Sequence, residues 1–114
     1  MTDKDLISWQ EFEKVELISA TIVEAEPFKE ARNPAFKLLL DIGNGELKKS
    51  SAQLTGLYKP DELIGKQVIC VANFPPKQIG PIRSEVLVTG FYNADGDVVL
   101  AVPDRSIENG AKLA

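Results

Sequence analysis

Histidine is absent from the chain of 114 residues, and cysteine occurs only once. Without imidazole, the chain cannot form serine–histidine or cysteine–histidine nucleophile pairs, nor a histidine metal site. The single cysteine, Cys70, lies in an apolar run at residues 68–71, which is typical of a small core residue. We therefore expect a protein that is not an enzyme and that holds no metal and no cofactor.

Long apolar runs are missing as well. The longest, such as residues 68–72, fall far short of the ~20 residues that span a bilayer. The chain begins with Asp3, Lys4 and Asp5, whereas a secretory signal begins with basic residues followed by an apolar block. These features predict a cytoplasmic protein with no membrane insertion.

The net charge of −4 disfavours binding to a polyanion, but the charge is unevenly distributed. From residue 29 to residue 85, nine basic residues stand against six acidic ones, a balance of +3. This basic middle segment keeps nucleic-acid binding open. The alternative is that its lysines only solvate a sheet face and protect an edge strand.

Two short helices are predicted near turn and capping signals. Ser8, followed three residues later by Glu11, matches a capping box at the start of a helix. Pro60 fits the first position of a second short helix, and Gly65 fits its end.

The rest of the chain reads as β-strands in one domain, residues 1–114. The first strand is predicted to end where residues 24–27 break the apolar pattern, and Asn44-Gly45 is a strong hairpin signal between the next two. Five or six strands, with a helix between the third and fourth, is the order of an OB-fold barrel, an order that other small barrels could share. We predict an all-β, five-stranded OB-fold barrel with short helices and N- and C-terminal extensions. The strands are expected at residues 17–23, 36–42, 46–54, 67–73, 85–92 and 97–102.

The most unusual stretch, residues 71–87, is predicted as a strand, a loop rich in proline and glycine, and another strand. Prolines restrict a loop, so polar side chains at its ends would be held ready for a ligand at low entropic cost. The alternative needs no ligand: Asn73 and Ser84 satisfy loop backbone groups, and Glu85 pairs with a lysine.

These residues also resemble a known family. Asn73-Phe74, Gly80 and Ser84-Glu85 are similar to the signature of the tRNA-binding domain family. Ser-Ser-Ala-Gln at 50–53 and Asn-Phe-Pro-Pro at 73–76 resemble, more specifically, the CsaA proteins of that family, and the resemblance continues in order along nearly the whole chain. Pro81 departs from the family pattern.

The resemblance implies a homodimeric OB-fold protein with one of two functions. The first is an export-related molecular chaperone that binds unfolded or precursor polypeptides; the alternative is a dimeric tRNA-binding module. For polypeptides, we expect Phe74 and Ile79 to line an apolar cleft, with Phe28 and Phe36 as further candidates. A third possibility is a structural partner that docks onto another protein.

For RNA, the resemblance and the charge pattern together suggest a set of contacts to phosphates and bases. The basic side chains would contact phosphates beside the hydroxyl of Ser51, and the polar loop residues would order the loop or touch sugar and base edges. The expected RNA-binding residues are Lys37, Lys49, Ser51, Asn73, Lys77, Arg83, Ser84 and Glu85.

The dimer interface is predicted from apolar residues that a small barrel leaves outside its core. On the N-terminal helix these are Trp9 and Phe12, and near the C-terminus they are Val99, Ala101 and Val102.

Overall fold

The computed structural model describes residues 5–114, so the predicted polar start of the chain at Asp3 and Lys4 lies outside the described residues. Within the described residues, two short helices and nine strands follow one another. Their bounds are α1 Trp9–Glu13, β1 Leu17–Pro27, β2 Phe36–Asp41, β3 Leu47–Ala52, α2 Pro60–Leu63, β4 Gln67–Val71, β5 Lys77–Ile79, β6 Ile82–Ser84, β7 Leu87–Val88, β8 Gly90–Tyr92 and β9 Val98–Leu100.

Five antiparallel strands form the main sheet, in the order β3-β2-β1-β4-β7. The sheet curls until β3 approaches β6 and β7, which gives a nearly closed barrel. The predicted all-β OB-fold barrel is confirmed, with β5–β6 and β8–β9 as two additional hairpins.

The long strand β1 allows the sheet to curl. Its first half pairs with β4 and its second half with β2, and the register shifts between Ile22 and Glu24. Such a bulge bends a strand and increases its twist. The predicted end of this strand at residues 24–27 is wrong, because the main chain there pairs with β2 although its side chains are mostly exposed.

The core follows the alternation of the strands. On β2, Phe36, Leu38 and Leu40 are buried, while the residues between them are partly exposed. The Cys70 side chain is fully buried in the same core, as predicted, and burial raises the pKa of its thiol from 9.0 to about 11.

The predicted turn and cap signals are confirmed at each position. The Glu11 amide donates to the Ser8 hydroxyl at 3.1 Å, and the Ser8 amide donates to the Glu11 carboxylate at 2.9 Å. Asn44 has a φ of 55° in the β2–β3 hairpin, where a side chain tolerant of positive φ is required.

The C-terminal extension continues the sheet along the free side of β1. The Ser19 amide donates to the Ala111 carbonyl at 3.0 Å, and the Leu113 amide donates to the Leu17 carbonyl at 2.8 Å. The Ser19 hydroxyl also donates to the Glu108 carbonyl at 2.6 Å. This segment therefore covers a strand edge that β2 does not reach.

Residues 77–84 differ from the predicted irregular loop. They form the hairpin β5–β6, in which Ile79 pairs with Ile82 across the two-residue turn Gly80-Pro81. Gly80 has a φ of +52°, and proline fixes the next φ near −65°, a combination that suits a tight hairpin turn. Pro81 thus stabilises the hairpin turn.

Within residues 5–114, no helix is both long and apolar enough to cross a membrane.

Candidate functional site

The edge of β3 is hydrogen-bonded to the last residue of β6 and to the residue that follows it. The Ser51 amide donates to the Ser84 hydroxyl at 3.0 Å, and the Lys49 amide donates to the Glu85 carboxylate at 3.0 Å. The Glu85 amide donates in return to the Lys49 carbonyl at 2.8 Å. Ser84 and Glu85 therefore close the barrel where β3 and β7 do not pair with each other.

Asn73 lies near the start of residues 71–87, the stretch that carries the family resemblance, and it contacts the N-terminal region. Its side-chain oxygen accepts from the Glu16 amide at 2.9 Å, and its side-chain nitrogen donates to the Lys14 carbonyl at 2.6 Å. The Asn73 side chain thus fixes the connection between α1 and β1, which lies 57 to 59 residues earlier in the chain.

A groove of about 600 Å³ lies beside the closing seam. It lies among the end of β3, the β5–β6 hairpin, β7 and the β8–β9 hairpin. Six of the predicted site residues meet along it: Ser51, Phe74, Lys77, Ile79, Ser84 and Glu85. The Phe74 side chain is 55% exposed although it is large and apolar. An apolar surface of this kind favours a ligand with apolar side chains.

A smaller groove of about 220 Å³ contains Lys37 and Lys49. Two carboxylates, Glu24 and Glu26, line it as well. The Lys37 ammonium lies 3.0 Å from the Glu26 carboxylate and 5.6 Å from the centre of the Phe28 ring. The charge of Lys37 is therefore already partly balanced by its neighbours.

The remaining basic residues of the set differ in their surroundings. Among residues 5–114, no carboxylate lies within 4.0 Å of the side-chain nitrogens of Lys49, Lys77 or Arg83. Arg83 is exposed on β6 opposite Gln78 and lines neither groove, and Asn73 also lies outside both. The predicted RNA-binding set is thus divided between two grooves and the outer face of a hairpin.

Two of the sequence-based candidates lie elsewhere than expected. Phe28 and Phe36 are buried, with exposures of 3% and 6%, so neither is available to line an open cleft. Ser50, the first residue of the Ser-Ser-Ala-Gln segment, faces the core with 1% exposure, because it alternates with the outward-facing Ser51 along β3. The residue pattern of β3 did not reveal this, since serine occurs at both positions.

Several groove residues were not singled out from the sequence. Gln53 and Leu54 follow β3, while Tyr92 and Val98 face each other on the β8–β9 hairpin. Tyr92 belonged to a predicted strand, but only the fold shows that this hairpin turns toward the groove. In the part of the chain that the structure describes, no three histidine, cysteine, aspartate or glutamate residues are grouped so as to hold a metal ion.

Residues 17–112 match the model of the family described as "tRNA binding domain". The chain belongs to this family. The match runs from the first residue of β1 into the C-terminal extension, so it covers the whole barrel and both grooves.

Two solved structures are similar to this chain over their full length. The chaperone CsaA from Bacillus anthracis str. Ames is 44% identical, with a TM-score of 0.90 over 96% of this chain and 100% of that chain. The CsaA chaperone protein from Picrophilus torridus is 47% identical, with a TM-score of 0.89 and the same coverage. The resemblance to CsaA proteins is therefore confirmed.

Curated relatives include much longer proteins. The methionine–tRNA ligase of Methanothrix thermoacetophila is 33% identical over 111 residues, which are 97% of this chain and 16% of that enzyme. The chain thus spans about a sixth of the length of this relative.

Proposed function

We propose that this protein is a CsaA-like molecular chaperone that binds unfolded or precursor polypeptides in the larger groove, as a cytoplasmic homodimer related to protein export. The observation that carries the proposal is the apolar wall of this groove, formed by the exposed Phe74 and the partly exposed Ile79 beside polar groups. The full-length similarity to two CsaA chaperones supports the same conclusion.

The groove has the size and composition that a polypeptide side chain requires. A volume of about 600 Å³ accommodates several apolar side chains, whereas the smaller groove offers about 220 Å³ lined by charges. Phe74 and Ile79 would bind apolar side chains, and Lys77 would contact polar groups at the rim. The β8–β9 hairpin adds Tyr92 as a further aromatic contact.

A dimer would place two such grooves in one particle. Trp9 and Val99, predicted at the interface, are large apolar side chains that are 60% and 41% exposed. Val102 is similarly exposed. Two linked sites raise the effective concentration for a second contact, so a dimer holds a long unfolded chain more tightly than a monomer does.

Fluorescence anisotropy with a labelled apolar unfolded peptide tests the proposal. We expect saturable binding that changes little between low and physiological salt, and that weakens at least about fivefold in Phe74→Ala because apolar area is lost. Leu47→Ala is the matched control, since Leu47 is 51% exposed on β3 but lies outside the groove. Equal binding by both variants would contradict the proposal.

The second candidate function is binding of tRNA. It is favoured by three cations, Lys49, Lys77 and Arg83, that have no carboxylate within 4.0 Å among residues 5–114. These would contact phosphates, with Lys37 and Ser51 beside them. Asn73, Ser84 and Glu85 would act by holding the barrel and hairpin in place, since their side chains are already hydrogen-bonded.

Salt dependence distinguishes this candidate from the first. Binding of labelled bulk tRNA should weaken steeply with salt, and Arg83→Ala should reduce both the affinity and the salt slope because one phosphate contact is lost. Arg105→Ala changes the net charge equally at a residue on the C-terminal extension and serves as the control. The RNA hypothesis fails if the two variants bind tRNA alike.

A further inference from the structure

The outer edge of β3 presents main-chain groups that the sheet does not use. The Ile42 amide donates to the Glu46 carbonyl at 3.0 Å, which fixes the alternation of hydrogen-bonded pairs along the β2–β3 ladder. The main-chain groups of Lys49 and Ser51 therefore face away from β2. An outward-facing row of this kind is a template for a further strand.

Part of this row is satisfied and part is open. Glu85 accepts from the Lys49 amide and donates to its carbonyl, and Ser84 accepts from the Ser51 amide. Among residues 5–114, the Gln53 amide and carbonyl have no hydrogen-bond partner, and the Ser51 carbonyl faces the same open side. The outward-facing main-chain groups of β3 thus lack hydrogen-bond partners among the described residues where this edge enters the larger groove. Ser51 and Gln53 both line that groove.

The chemistry of the open groups discriminates between ligands. They comprise one donor, the Gln53 amide, and two acceptors, the carbonyls of Ser51 and Gln53. Phosphate oxygens only accept hydrogen bonds at neutral pH, so two carbonyl acceptors disfavour a phosphate backbone. An extended polypeptide alternates N–H and C=O groups along its edge and matches this arrangement.

We infer that the larger groove binds an extended polypeptide segment by adding it as a short strand to the edge of β3 at Ser51 and Gln53. The side chains on one face of that segment pack against Phe74 and Ile79, and its main chain forms hydrogen bonds with the edge of β3. In this mode one groove would accept many sequences, because every polypeptide has the same main chain. The inference rests on the proposed polypeptide binding and specifies its geometry.

A pair of N-methylated peptides tests the inference. The parent probe is a labelled ten-residue peptide that alternates leucine with serine, and the two isomers carry N-methyl groups on all leucines or on all serines. In an added strand, only one of these sets faces β3. We expect one isomer to bind about tenfold more weakly than the parent, and the other to bind within about twofold of it.

Other outcomes separate the binding mode from the binding itself. Equal affinities for the two isomers would overturn strand addition, even if Phe74→Ala still weakens the parent peptide and polypeptide binding stands. Failure of the parent peptide to bind would overturn the proposed function and this inference together.

Amide hydrogen exchange provides a second measurement on the unmodified protein. The Gln53 amide should exchange rapidly in the free protein and at least about tenfold more slowly with saturating parent peptide, because it gains a hydrogen bond. The Lys49 amide is the internal control, since it already donates to Glu85. Protection of neither amide, or of both equally, would contradict the inference.

Discussion

Glu85 and Lys49 exchange two hydrogen bonds across the seam of the barrel. The Lys49 amide donates to the Glu85 carboxylate at 3.0 Å, and the Glu85 amide donates to the Lys49 carbonyl at 2.8 Å. One side chain and one amide therefore replace the strand pairing that is missing between β3 and β7. The Ser84-Glu85 pair, which carried much of the family resemblance, stabilises the barrel beside the groove.

Replacing Glu85 should destabilise the protein more than replacing another glutamate near the same lysine. Glu85→Ala leaves the Lys49 amide without its acceptor, so we expect a loss of roughly 1–2 kcal/mol in the free energy of unfolding. The Lys48 ammonium lies 4.0 Å from the Glu85 carboxylate and 3.5 Å from that of Glu46, so Glu46→Ala is the control: its side chain accepts no hydrogen bond from the Lys49 amide. It should cost less than about 0.5 kcal/mol. Urea denaturation measures both, and equal losses would contradict the role of Glu85.

The amide of Asn73 should resist even a nearly isosteric replacement. Asn73→Asp keeps an acceptor for the Glu16 amide but loses the donor to the Lys14 carbonyl, where a carboxylate is instead repelled. We expect about 1–2 kcal/mol of destabilisation, and faster amide exchange across α1 because its connection to β1 loosens. Gln78→Glu is the control, because Gln78 donates only within its own exposed hairpin. Unchanged exchange in α1 would show that Asn73 does not hold this connection.

The buried thiol predicts a pH dependence at the alkaline end. Burial raises the pKa of Cys70 from 9.0 to about 11, so the unfolded thiol ionises before the folded one. Its contribution to stability is fully present below pH 9 and is lost as the pH rises toward 11.

Cys70→Ala removes this thiol and should show a smaller fall in the free energy of unfolding between pH 8 and pH 11, measured by urea denaturation at each pH. The lysines and tyrosines remain the same in both proteins and therefore serve as the common background. A thiol reagent should modify folded wild-type protein far more slowly than unfolded protein at pH 8. Identical pH profiles, or rapid modification of the folded protein, would contradict the assigned burial.

The sequence predicted those features that depend on neighbours along the chain. The capping box at Ser8, the turn at Asn44 and the helix end at Gly65 are local, and all three are found. The β5–β6 hairpin was taken for a loop because three-residue strands carry too little alternation to be recognised.

The site required contacts between residues distant in the chain. Ser84 hydrogen-bonds 33 residues away and Asn73 hydrogen-bonds 59 residues away, so no local pattern reveals what either side chain does. Phe74 and Ile79, which the sequence analysis assigned to one apolar cleft, both line the larger groove. Gln53 was missed because its main chain, and not its side chain, distinguishes it.

The ion pair between Lys37 and Glu26 predicts weakened RNA binding at the smaller groove. Its two lysines should bind RNA more tightly when this carboxylate is removed. A phosphate that contacts Lys37 must compete with a carboxylate 3.0 Å away. Glu26→Gln removes that competition and a repulsive charge, so we expect affinity for bulk tRNA to rise about two- to fivefold at low salt and the salt slope to steepen. Glu108→Gln makes the same change of charge on the C-terminal extension and should have a smaller effect. Anisotropy titrations in which the two variants gain equally would show that only net charge matters, and not the pairing of Lys37.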